Sequence, residues 1–181
     1  MIIFTGRFQP FHNGHLSLIR YVQEKYPRET LCLAIVRNIP NNELTDFDKQ
    51  ASKALNNSRN LLTAEQTLYT IQKTLSCLEY KNVISTLIPR PSDETWPIID
   101  SMFDSRRKWL FTCNVTEIDK WEEIKIDFYK SKGESVNIVP ISKDISGTRI
   151  RRLLENIDEH YEELLEVLPE TVLQCIKDYI D

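Results

Sequence analysis

A chain of 181 residues is long enough for one domain with a sizeable core, and 41% hydrophobic with 28% charged residues is the balance of a soluble globular protein. A net charge of -4 argues against a general nucleic-acid binder, while leaving room for a local cationic pocket that takes a small anion. No run of about 18 apolar residues predicts a membrane span, and the start "MIIFTGRFQP" lacks the basic region and long apolar stretch of a secretory signal, so a cytoplasmic chain without membrane or nucleic-acid partners is expected.

In chain order, "IIFT" reads as a first strand. "HLSLIRYVQEKY" then places Leu16, Ile19 and Val22 at near-helical spacing. "TLCLAIV", residues 30–36, is a second strand, apolar throughout as a strand covered on both faces should be. Residues 37–60 are polar and loop-like, and so long that a functional flap, partial helix or surface loop is expected. "TAEQTLYTIQKTLSCL" predicts a helix. Thr63 and Gln66 have capping-box spacing there, and Leu68, Ile71, Leu75 and Leu78 form its stripe.

"NVISTLIP" is a third strand, and "TWPIIDSMF" a short helix with Pro97 in its first turn. "KWLFTCN" is a fourth strand. "EIDKWEEIKIDFYKSKG" predicts an amphipathic helix with Ile118, Trp121 and Phe128 inward and Gly133 as its stop. "SVNIVPI" is a fifth strand, followed by a helical tail in which the acidic run "ENIDEHYEELLE" is a solvated face. Strands separated by helices imply parallel pairing through right-handed crossovers. The expectation is therefore an α/β fold, a Rossmann-like doubly wound sheet of about five parallel strands. It forms one domain over residues 1–181, with a helical carboxy-terminal part from about residue 145. Cys32, Cys77, Cys113 and Cys175 form no CxxC pair, and buried free thiols are expected.

Two stretches carry more polar chemistry than a turn requires. "GRFQPFHNGH", residues 6–15, follows the first strand and enters a helix, so it lies where doubly wound sheets bind ligands. Gly6 permits a tight turn or close approach of backbone to ligand. Gly14 and His15 stand at a helix start, where free N–H groups favour a phosphate. His12 and His15 are three apart, and Arg7 adds a permanent fork of donors. Taken alone, the histidines also fit a structural turn; a metal reading lacks a third ligand of suitable spacing. "ISGTRIRRLL", residues 145–154, follows the fifth strand. Ser146 is placed to cap a helix, Gly147 permits close backbone approach, and Thr148, Arg149, Arg151 and Arg152 add a hydroxyl and cations. Ordinary capping is the alternative for this stretch by itself.

"GRFQPFHNGH" resembles the HxGH signature of the nucleotidylyltransferase superfamily, and "ISGTRIR" its ISxTxxR signature. The Gly-Arg-Phe-Gln-Pro-Phe-His form is most similar to archaeal-type nicotinamide mononucleotide adenylyltransferases. The order of elements and the ending "YEELLEVLPETVLQCIKDYI" are similar too. The resemblance implies transfer of AMP from ATP, with Mg2+, to nicotinamide mononucleotide, giving NAD and pyrophosphate. It implies that His12 and His15 hold the ATP phosphates and that Arg7 lies near the reacting groups. Arg151, with Ser146 and Thr148, would grip the β and γ phosphates. Gly6, Phe8, Gln9, Gly14, Ile145 and Gly147 would complete the nucleotide site, and Trp96 would stack on the nicotinamide ring unless it is a packing anchor. A homo-oligomer is implied by analogy. One departure stands out: where the family usually has Thr-Ala-Gly-Glu-Arg, this chain has "TAEQT", so the arginine is absent, and Arg59 or Arg37 is the candidate to replace it. Another phosphorylated acceptor, CTP in place of ATP, and a nucleotide sensor without turnover are the rival expectations.

Overall fold

Each apolar run becomes a strand because its alternate residues can be buried on two opposite faces. The computed structural model describes residues 1–37, 60–113, 120–140 and 145–180, and only the backbone at Trp121 and Ile180. Nearly all of the expected flap, with Arg59, lies outside the described residues, as do Ile118 and the side chain of Trp121. Strands β1 (Ile2–Gly6), β2 (Leu31–Val36), β3 (Val83–Ile88), β4 (Lys108–Cys113) and β5 (Val136–Pro140) form one sheet in the order β3-β2-β1-β4-β5. Every pairing is parallel, with Ile2 opposite both Leu31 and Lys108.

On one face Ile2, Leu31, Leu33, Ile35 and Leu110 meet helices α1 (Asn13–Lys25) and α2 (Ala64–Cys77). The carboxy-terminal helices α6 (Tyr161–Val167) and α7 (Glu170–Ile180) complete that layer through Leu164, Val172 and Ile176. The alternate residues Ile3, Cys32, Ala34, Trp109 and Phe111 face α3 (Trp96–Met102) and α4 (Lys120–Ser131) through Ile99, Ile126 and Tyr129. This two-residue period, covered on both sides, is why the central strands read as unbroken apolar runs. The edge strands are less covered: Ile84 in β3 and Ile138 in β5 stay exposed. Because strand order runs outward in both directions from β1, its carboxyl end, beside β4, is the switch point at which sheets of this kind form a ligand crevice.

Three expectations are corrected. The buried face of α2 is Ala64, Thr67, Thr70, Ile71, Thr74 and Leu75, not a leucine stripe; Leu68 is half-buried and Leu78, at the helix end, is exposed. Threonines are tolerated there because their hydroxyls bond back along the helix, Thr67 Oγ1 to the Thr63 carbonyl (2.9 Å) and Thr74 Oγ1 to the Thr70 carbonyl (2.8 Å). In α4 the most buried side chains among those described are Ile126 and Tyr129, which the expectation lacked, and Phe128 packs half-buried against them, inward as expected. Of the cysteines, all free, Cys32 and Cys175 are buried but Cys77 is exposed and Cys113 half-buried. At the amino end of β4, Arg107 is buried between Asp100 and Glu134, and Trp109 Nε1 also donates to Glu134 (2.8 Å). Paired this way, a buried guanidinium is tolerated, and it ties α3 and the turn before β5 to the sheet.

Candidate active site

The strand β1 stops at Gly6, where an added Cβ would come within 3.2 Å of the Phe8 ring. Phe8 itself has a positive φ of 51° and is buried among Phe4, Phe11 and His15. Chain reversal after the strand therefore needs a bare backbone at Gly6 to accept the folded-back phenyl ring.

His12 is the N-cap of α1. Its ring makes no cap hydrogen bond; the His15 amide is satisfied by the His12 carbonyl instead (2.8 Å). His15 Nδ1 accepts from the His12 backbone N–H (3.1 Å). Since Nδ1 accepts, the proton of neutral His15 sits on Nε2, which makes that atom a donor. The two imidazoles stack with centroids 3.8 Å apart, and His15 stacks in turn on Phe11 at 5.3 Å and 9°. Burial pushes His12 down to about 4. Burial, and then the neighbouring His12, hold His15 well below the ordinary histidine range. Both are thus neutral near pH 7 without a ligand. They present N–H donors rather than fixed charges. Gly14 has a local reason to be glycine: a Cβ there would stand 3.0 Å from Cε1 and Nδ1 of His12. His12 Nδ1 is buried without a hydrogen-bond partner.

The late stretch reaches the same place. Ser146 caps α5 (Gly147–Leu153), its Oγ accepting from the Arg149 amide at 3.1 Å. Arg151 Nη1 donates to the Gln9 carbonyl (2.8 Å), across 142 residues of sequence, and its Nη2 donates to Thr148 Oγ1 (3.1 Å). A Cβ on Gly147 would lie 3.2 Å from Arg151 Nη1 and 3.4 Å from the Gln9 carbonyl, and one on Gly14 would lie 3.8 Å from Cβ of Ile145. The two stretches are therefore in contact at the carboxyl ends of β1 and β5. With only seven residues, α5 offers its hydroxyls and Arg151 more than a helix dipole. Arg149 is turned away to Glu163, and Arg152 is exposed.

Not every expected residue presents its side chain to this crevice. Phe8 is committed to packing. Gln9 is 8% exposed and works as a clasp: Nε2 donates to the Leu62 carbonyl (2.8 Å) and Thr67 Oγ1 (2.9 Å), and Oε1 accepts from the Leu62 amide (3.1 Å). Trp96 is corrected to the packing role. Its ring lies against Trp109, Phe128 and Tyr129, 5.9 Å from the Arg107 guanidinium, toward the amino end of β4 and away from the histidines. Of the candidate replacements for the absent arginine, Arg37 at the end of β2 pairs with Glu65 (3.4 Å), inside the "TAEQT" segment itself. Arg7 Nη1 lies 3.5 Å from Asn60 Oδ1. Sequence reasoning missed Phe11, the stacking partner of His15, and Arg90, two residues past β3. The rule that ligands gather at strand carboxyl ends is the signal that marks Arg90.

A family model described as Cytidylyltransferase-like matches residues 3–54, the span that holds the first signature. Nicotinamide-nucleotide adenylyltransferase 1 of Sulfolobus acidocaldarius is 25% identical over 181 residues, covering 97% of this chain and 88% of the relative. Both likenesses point to nucleotidylyltransferases, the family model over the opening stretch and the Sulfolobus relative along nearly the whole chain. The chain is an enzyme of the nucleotidyltransferase kind. Among solved structures, Thermotoga maritima TmcAL bound with alpha-thio ATP superimposes with a TM-score of 0.60 at 12% identity, over 99% of this chain and 55% of that one. The same protein without ligand gives 0.56. At such identity the superposition shows a shared fold, here spanning about half of the TmcAL chain. Among the described residues, no helix is long and apolar enough to cross a membrane.

Proposed function

We propose that this nucleotidylyltransferase moves AMP from ATP to nicotinamide mononucleotide, releasing pyrophosphate and forming NAD. The observation that carries the reading is the Arg151–Gln9 contact, which joins the two signature stretches around one strand end. The Sulfolobus relative's name supports the acceptor.

The reaction makes a bond between a 5′-phosphate oxygen of the acceptor and the α-phosphorus of ATP. It breaks the bond from that phosphorus to the bridging oxygen, and pyrophosphate leaves with the electron pair. The attacking oxygen is already ionised at neutral pH, so no general base is needed. Positioning and charge stabilisation supply the catalysis. His15 Nε2–H and the His12 ring donate to phosphate oxygens as negative charge shifts onto the leaving group. The Gly14 amide, at the start of α1, faces the same anion. Ser146, Thr148 and Arg151 hold the β and γ phosphates, and Arg7 lies beside the reacting phosphorus. Neutral imidazoles suit the work, because they bind the anion without two stacked charges beforehand.

Magnesium accompanies ATP as part of the substrate. Among the described residues no group of three His, Cys, Asp or Glu could hold a metal ion, and the polar side chains of the two stretches are imidazoles, guanidiniums, hydroxyls and the carboxamides of Gln9 and Asn13, which bond to other protein groups, with no carboxylate. That donor set does not fit a protein-held magnesium, whereas phosphate oxygens and water do.

The Arg37–Glu65 pair, in place of the family's Gly-Glu-Arg, favours a second reading: a different phosphorylated acceptor at the same ATP site. Incubation with ATP, Mg2+ and a panel of phosphorylated acceptors, with pyrophosphate as readout, tests both. Release with nicotinamide mononucleotide is expected. Release only with another acceptor selects the second reading, and tight ATP binding with no release from any acceptor defeats both.

A further inference from the structure

The crevice has a second cationic side that the triphosphate does not need. Arg90 follows β3, and Arg7 follows β1, so both leave the carboxyl edge of the sheet with only β2 between them. Two strand spacings are about 10 Å, a gap that two arginine side chains reaching toward each other can close. Their proximity is felt electrostatically: burial first, and then the charge of Arg7, push the Arg90 guanidinium below its ordinary value. The backbone that carries Arg90 is held. Its carbonyl accepts from Thr95 Oγ1, and Thr95 and Ser92 bond to each other in the turn that opens α3. A half-buried guanidinium on a fixed loop, within electrostatic reach of a like charge, suits a doubly charged anion held by both.

Direction supports the same assignment. In an in-line displacement the incoming phosphate and the departing pyrophosphate lie on opposite sides of the α-phosphorus. Arg151, Ser146 and Thr148 stand on the β5 side of β1; Arg7 and Arg90 stand toward β3. Resting on the adenylyl-transfer reading above, we infer that Arg90, together with Arg7, binds the phosphate monoester of the acceptor. The substrate class is a phosphate monoester dianion; the corresponding nucleoside or sugar without phosphate would not be held.

The test compares wild type, Arg90→Ala, Arg90→Gln and Arg90→Lys by two readouts. The first is KM for nicotinamide mononucleotide and for ATP in the pyrophosphate assay. A hydrogen bond to a charged group corresponds to about a 10- to 100-fold change. Arg90→Ala and Arg90→Gln should raise KM for the mononucleotide by that factor and leave KM for ATP within about twofold, while Arg90→Lys recovers part of the loss. The second readout needs no turnover: the thermal shift produced by ribose 5-phosphate against ribose, each with ATP present. The phosphate should shift wild type and not Arg90→Ala, and ribose should shift neither. If nicotinamide mononucleotide gives no pyrophosphate but the ribose 5-phosphate shift still depends on Arg90, the subsite stands and the reaction reading fails. Unchanged mononucleotide KM with an equal ribose 5-phosphate shift in the variants overturns the subsite and leaves the reaction reading intact. Should Arg90→Ala not fold, Arg90→Gln and Arg90→Lys decide the matter by the same criteria.

Discussion

The stacked histidines predict a particular sensitivity to acid. In the folded chain His12 is pushed down to about 4 from an ordinary 6.5. Above pH 6.5 the ring is neutral in both folded and unfolded chains and has no linkage effect. Between 6.5 and 4 the unfolded chain takes up a proton that the folded chain refuses, so stability falls as pH falls, and the loss is complete below 4. The full difference corresponds to roughly 3 kcal/mol, of which about 2 kcal/mol is lost between pH 7 and pH 5. Other groups titrate over that range, so the informative quantity is a difference between proteins. Urea unfolding of wild type and His12→Asn, each at pH 7 and pH 5, isolates it. The variant should lose about 2 kcal/mol less than wild type on acidification. Equal losses in the two proteins would refute the claim that burial keeps this imidazole neutral.

The remaining predictions concern catalysis and the scaffold. His15→Ala should slow turnover at least about a hundredfold in the pyrophosphate assay with the fold intact by circular dichroism; a near wild-type rate rejects its proposed role. Gly14→Ala puts a Cβ 3.0 Å from the His12 ring. Its backbone is helical and favours alanine, so the thermal midpoint should change little while turnover falls about tenfold or more. Gln9→Leu strands the buried Leu62 amide and carbonyl and removes one bond from Thr67 Oγ1, which keeps the Thr63 carbonyl, at a cost of about 3 kcal/mol in urea unfolding. Ser146→Ala removes the cap of α5, for about 1 kcal/mol by the same measurement.

Much of the fold was legible because its signals are local. The apolar strands, the Thr63–Gln66 capping box and the stop at Gly133 each depend on a few adjacent residues, and each is found where expected. The capping box is reciprocal, with Gln66 Oε1 accepting from the Thr63 amide at 2.8 Å. Errors arose where burial is decided by distant partners. Threonines in α2 can be buried because they bond to their own helix and to Gln9, which hydropathy alone does not register. Trp96 looked available for stacking because its partners Trp109, Phe128 and Tyr129 come from elements well removed in sequence. The meeting of "GRFQPFHNGH" with "ISGTRIR" is a matter of topology, which the alternation of strands and helices implied. That Gln9 would turn its amide toward Leu62, leaving only its carbonyl for Arg151, could not be read from either stretch.

Gln9 also has a dynamic consequence. Through one residue, the amino-terminal loop, the segment entering α2 and the last signature helix are fastened at a common knot. None of the three can swing outward without straining the other two, so their openings should be concerted. Hydrogen exchange would register this as slow, matched rates for the Leu62 amide and amides early in α1, lost together when the knot is cut. An anchorage of this kind keeps the phosphate-facing groups in register while neighbouring chain moves, and it makes position 9 a point where damage at one end of the sequence reaches the other.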